Sequence, residues 1–132
     1  MKHFTKAEFQ GWFDVMDKEL LEKLDELREK LGSPISISPA EGAVGRRLGP
    51  DRRSYHNLDY HGVVKAVDVM PATDNIQRAF RLAKAVGFCG IGIYVDTKPR
   101  KMLHLDVRPK QFKRRWFAYF DMHTNKREYV FL

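Results

Sequence analysis

The segment His104-Leu105-Asp106-Val107-Arg108 alternates polar and apolar side chains without a break. Period two puts His104, Asp106 and Arg108 on one face of an extended strand and Leu103, Leu105 and Val107 on the other. A His-x-Asp pair on one strand face brings an imidazole and a carboxylate within a few ångströms of each other. A second run, Ala66-Val67-Asp68-Val69, sets an aspartate inside an otherwise apolar strand. Burying that carboxylate is costly unless something compensates it, and a cation would do so. Both segments require a sheet with one dry face and one face that satisfies ionisable groups.

The remaining elements follow from periodicity. Thr5-Lys6-Ala7-Glu8 has the pattern of a capping box. Phe9, Trp12, Phe13, Met16, Leu20, Leu24, Leu27 and Leu31 recur every three or four residues, predicting a long helix over about 5–31. Gly11 is the point where it would bend or divide, and Gly32 with Pro34 ends it. Ile35 to Ser38 alternates as a strand. Residues 39–62 form a long polar loop, a length usually reserved for function. A strand over Val63–Met70 ends at Pro71. A second helix starts from a Thr73 or Asp74 cap, runs through Ile76, Phe80 and Val86, and closes at Gly87. Strands follow at Gly90–Tyr94 and Met102–Val107, then a hairpin of 116–120 with 128–131 turning near Thr124-Asn125. The order predicts an α+β fold, a single compact domain over 1–132 with a mainly antiparallel sheet and a core from about residue 33.

With 132 residues and 43% apolar content, the chain is one ordinary globular domain in size and composition. No apolar run reaches membrane-spanning length, so no membrane insertion is expected. The N-terminus lacks the apolar core of a secretory signal, so the expected location is the cytoplasm of the producing cell. Cys89 is the single cysteine, which excludes an internal disulfide and suits a buried structural thiol. The net charge of +7 favours polyanionic partners such as nucleic acid or an anionic cell wall. Arg108, Lys110, Lys113, Arg114 and Arg115 among Phe112, Trp116 and Phe117 are a mix that can bind phosphates and stack bases. The alternation of those aromatics reads instead as a core-facing strand, and nucleic acid is not the expected partner. A monomer is expected.

Two histidines and an aspartate, His56, Asp68 and His104, make the inventory of a catalytic zinc site if they converge: three protein ligands and an open fourth position. His61 is the alternative to His56.

The frame Ser54-x-His56, Ala66-x-Asp68 and His104-x-Asp106 resembles the peptidase M15 group of zinc peptidases, which includes D-alanyl-D-alanine carboxypeptidases and phage endolysins. Ile35 to Pro39, Gly45-Arg46, Gly90 to Tyr94 and His104 to Arg108 resemble small M15-like proteins of bacteriophages. The similarity spans about residues 20–130. It implies a compact α+β fold, one Zn2+ held by His56, Asp68 and His104, and cleavage of peptide bonds in peptidoglycan. Such an enzyme would meet the wall after release from the cell or as part of a virion. The family's His-x6-Asp spacing departs here, because His61 stands at that distance from Asp68. Ser-x-His favours His56, with residues 57–62 as a short insertion. Many members carry a glutamate three residues before the second histidine, where this chain has Lys101. The general base then falls to Asp106, with Asp96 second, and Asp106 can instead orient a ligand histidine. Arg46, with Arg47 as its rival, resembles the family's oxyanion-stabilising arginine. Ser54, Arg108 and Tyr94 are expected to support the site or contact substrate.

Overall fold

The computed structural model describes residues 1–47, 49 and 51–132; Leu48 and Pro50, within the polar loop, lie outside the described residues. Three α-helices, α1 (Lys18–Leu31), α2 (Leu58–His61) and α3 (Ile76–Val86), combine with six strands. These are β1 (Ile35–Ile37), β2 (Ala66–Pro71), β3 (Gly90–Tyr94), β4 (Met102–Asp106), β5 (Arg114–Asp121) and β6 (Lys126–Phe131). They form one sheet in the order β1-β2-β4-β3-β5-β6. Every pairing is antiparallel except β3 with β5. The fold is α+β and mainly antiparallel, as expected.

The long helix over 5–31 does not form as one piece. Residues Lys6–Phe9 and Phe13–Val15 make short 3-10 turns, and α1 starts only at Lys18. Thr5 makes no side-chain cap. Gln10 and Gly11 both take left-handed backbone, with φ of 56° and 88°. Met16 and Asp17 are then held extended against Val64: Val64 N–H donates to the Val15 carbonyl at 2.8 Å and Asp17 N–H to the Val64 carbonyl at 2.9 Å. Asp17 is the actual cap, its carboxylate accepting from the N–H groups of Glu19 and Leu20. The apolar spacing persists across the break because Phe9, Met16 and the α1 leucines all enter one core. α3 is likewise capped by Asn75, which accepts from Arg78 N–H, and not by Thr73 or Asp74.

The sheet separates two environments. Val67, Val69, Ile91, Ile93, Leu103 and Leu105 join Leu20, Leu24, Leu27, Ala79 and Ala83 of α1 and α3 in a dry core. Leu103, Leu105, Ile91 and Val67 have no exposed surface. The opposite face is set by register. Asp68 pairs with His104, His104 with Gly92, and Gly92 with Trp116, so these four residues lie in a row across β2, β4, β3 and β5. One step along, Ala66, Asp106 and Gly90 make a parallel row. Ala43 and His56, from the segment between β1 and α2, contact Asp68 of β2.

Candidate metal centre

His56 reaches the sheet from the loop. Arg46 N–H donates to the His56 carbonyl, and Leu58 N–H to the Arg46 carbonyl, both at 2.9 Å, which pins the two loop segments together. Asn57, fully buried, caps α2 through Tyr60 N–H and donates to the Arg47 carbonyl at 2.7 Å. Ser54 Oγ accepts from His56 N–H at 3.3 Å. His56 Nδ1 lies 2.7 Å from the Val44 carbonyl oxygen. Nδ1 must carry the proton to make that bond, so Nε2 keeps its lone pair and faces the sheet.

His104 is oriented by the same logic. Its Nε2 stands 2.7 Å from Asp106 Oδ2, which leaves Nδ1 facing His56 and Asp68. Three donor atoms meet: His56 Nε2 to His104 Nδ1 is 3.3 Å, His104 Nδ1 to Asp68 Oδ1 is 3.1 Å, and His56 Nε2 to Asp68 Oδ1 is 3.3 Å. Ligands about 2.0–2.1 Å from a tetrahedral zinc stand about 3.3 Å apart. The triangle therefore has the size of one face of a tetrahedral zinc site, made of donors that zinc accepts. His56, Asp68 and His104 would hold the ion, and each is buried.

The electrostatics agree. Burial pushes the Asp68 carboxyl up, but the hydrogen bonds from His104 and His56 outweigh it and hold it well below the usual carboxylate range. Burial alone would lower His104, yet Asp106 and Asp68 push it up to about 9. Two carboxylates so placed attract positive charge, which a proton supplies when no metal does.

Asp106 stands behind His104 and not in the cavity. It has no exposed surface, and Arg108 binds it through Nε at 2.9 Å and Nη2 at 2.7 Å. Burial acts to raise its pKa, but His104 and Arg108 hold it down. Its carboxylate therefore faces His104 and Arg108. Asp96 is turned toward the β5–β6 hairpin, accepting from Phe120 N–H and from Arg127 at 2.9 Å. Lys101 lines a different hollow, with Asp74 and Arg100. His61 lies outside the donor cluster. Its ring stacks on Tyr55 at 4.6 Å and its Nε2 is 3.1 Å from the Arg53 carbonyl.

An open cavity of about 760 Å³ lies over the three donors, lined in part by Arg46, Ser54, Tyr94, Arg108, Trp116 and Arg127. Arg46 enters it, held by the Gly42 carbonyl at 2.9 Å and by Asp51. Arg47 is paired with Asp59 instead. Tyr94, pushed up to about 12 by burial against the opposing Trp116 hydrogen bond, keeps its phenolic proton at neutral pH. The Arg108 guanidinium lies 4.6 Å from the Tyr55 ring centroid and 5.6 Å from that of Trp116.

Sequence reasoning missed Trp116, whose ring centroid is 5.1 Å from that of His104 and whose Nε1 donates to Tyr94 Oη at 3.2 Å. The signal was present in Gly90-x-Gly92, since glycine inside a strand marks close approach by another group. A Cβ at Gly90 would overlap the Asp106 carboxylate, and one at Gly92 would overlap the Trp116 indole.

The family model described as Peptidase M15 matches residues 2–106, most of the chain and all three of the converging donors. The chain belongs to the peptidase M15 family. No curated protein and no solved structure matches it significantly. The M15 match ends at Asp106, so β5 and β6 of this M15 chain, with Trp116, Arg127 and Tyr129 of the cavity wall, lie beyond the matched segment. Family and donor cluster together support a metal-dependent peptidase.

Proposed function

We propose that this chain is a zinc-dependent peptidase that hydrolyses a peptide bond in peptidoglycan stem or cross-bridge peptides. The observation that carries this reading is the tetrahedron-sized triangle of His56, Asp68 and His104 at the base of an open cavity. When bound, zinc supplies Lewis-acid polarisation and acidifies water at the site. The chain's own groups do the rest. Asp106 and the Val44 carbonyl fix the two histidine tautomers. Arg46 and Tyr94 offer donors for the oxygen of a scissile carbonyl. Arg53, Lys98, Arg108 and Arg127 make the cavity wall basic, which suits the carboxylates of wall peptides. No described helix is long and apolar enough to cross a membrane. Following the phage resemblance, the enzyme is phage-encoded and meets the wall after release or as part of a virion.

The basic patch is a weaker basis for nucleic-acid binding. Two of its residues are used internally: Arg115 donates to the Cys89 and Phe88 carbonyls, both at 3.3 Å, and Trp116 is buried beside His104.

Metal content of the purified protein is the test, comparing wild type with His56→Ala, His61→Ala and His104→Ala, followed by digestion of several peptidoglycan chemotypes. The expected result is about one zinc per chain. That zinc is lost from the His56 and His104 variants and kept in the His61 variant, and the wild type releases new amino groups from the wall. Absence of zinc in every form overturns the reading. Bound zinc without cleavage of any wall makes the chain a metal-binding structural protein.

A further inference from the structure

The turn that carries Glu41 is fastened at both ends to residues of the metal centre. Before it, Ser38 N–H donates to the Asp68 carbonyl at 2.9 Å. After it, Asp68 N–H donates to the Ala43 carbonyl at 2.8 Å, and the Val44 carbonyl faces His56 Nδ1. Inside the turn, Ala43 N–H donates to the Ala40 carbonyl at 3.2 Å and Ala40 N–H to Ser38 Oγ at 3.3 Å. Gly42 takes a φ of 81°, which favours glycine, and its carbonyl holds Arg46. The backbone of residue 41 is thus positioned by the same bonds that position two of the three donors.

Glu41 lines the cavity. The other lining acids are committed: Asp68 belongs to the donor cluster and Asp51 pairs with Arg46. Among the described residues Glu41 has no hydrogen-bond or ion-pair partner. The acids nearest the site by sequence are spent elsewhere, Asp106 behind His104 and Asp96 on the hairpin. A peptidase needs a proton acceptor within reach of the attacking water, and a carboxylate is suited to it.

We propose that Glu41 is the general base of this enzyme, supplied from the loop after β1 and not from the strand that carries His104. The proposal rests on the peptidase reading. Glu41 takes one proton from the attacking water as the water oxygen bonds to the carbonyl carbon. As the C–N bond breaks, the same carboxyl gives that proton to the leaving amine nitrogen, which regenerates the carboxylate and consumes one water. Lysine at position 101 is then no obstacle to activity.

The experiment compares zinc-loaded wild type, Glu41→Gln, Glu41→Ala and Glu41→Asp on soluble stem-peptide fragments, with zinc content measured on each. The expected result is a kcat loss of about 10²–10⁴-fold in the Gln and Ala variants. KM and zinc content stay at wild-type values, and the Asp variant keeps an intermediate rate. Added formate restores part of kcat to Glu41→Ala, which a purely structural role would not permit. A Gln variant as fast as wild type overturns the assignment of Glu41 and leaves the peptidase reading standing. Zinc-loaded wild type that cleaves no wall peptide overturns both.

Discussion

The two faces of the central sheet are built from alternate residues of the same strands, and they obey opposite rules. On the helix side, Leu103 and Leu105 of β4 lie in the apolar core, and tolerance there is a matter of volume. On the cavity side, His104 and Asp106 of the same strand are also buried, yet each polar atom has a named partner. The first face stabilises by area and shape. The second is acceptable only as a complete network, because an unpaired charge in that position costs far more than a missing methyl group.

Truncating one residue of each face should separate the two rules. His104→Ala leaves Asp68 and Asp106 buried without their shared partner. It should abolish zinc binding and cleavage together, and the metal-free protein should lose about 3–5 kcal/mol in denaturant titrations. Leu105→Ala, its neighbour on the same strand, should cost about 2–5 kcal/mol through the cavity it leaves. The folded fraction of that variant should still hold a full complement of zinc, as metal analysis after gel filtration would show. If Leu105→Ala also empties the site, the two faces are not independent.

A milder cut keeps the network's shape and removes one charge. Asp106→Asn retains an acceptor for His104 Nε2 but loses the carboxylate that favours its donor role. Zinc affinity should fall about 10–100-fold by competition against a chelator. Gly92→Ala attacks the same histidine sterically, through Trp116. It should destabilise by about 1–3 kcal/mol and change tryptophan fluorescence.

An effect of similar size is expected in pH. The pKa of His104 in the folded, metal-free protein lies near 9, above its ordinary 6.5. The stability it contributes is complete below about pH 6.5 and is lost as pH rises through about 9. Metal-free protein should therefore lose of the order of 1–3 kcal/mol across that window, a change absent from His104→Ala. Zinc affinity should rise over the same window, since a proton leaves as the metal binds.

Local sequence determined whatever depends on period and on neighbouring residues. The alternation of His104 to Arg108, the aspartate inside Ala66 to Val69 and the α1 leucines were enough to give the strands, the helix face and two of the three donors. The M15-like frame favoured His56 over His61. Local sequence did not show that Met16 and Asp17 would be extended, because the bonds that hold that stretch come from Val64, almost fifty residues away. Nor did it choose Asn75 as a cap over two equally suitable neighbours. The roles of the carboxylates were also closed to it. Asp106, Asp96 and Glu41 are alike in chemistry, and spacing says nothing about which oxygen faces a cavity. Only the register of β2, β4, β3 and β5 places Asp106 behind His104, and only the closed turn after β1 leaves Glu41 at the cavity wall. Long-range pairing decides what each ionisable group faces, and a charged group's chemistry is set by what it faces.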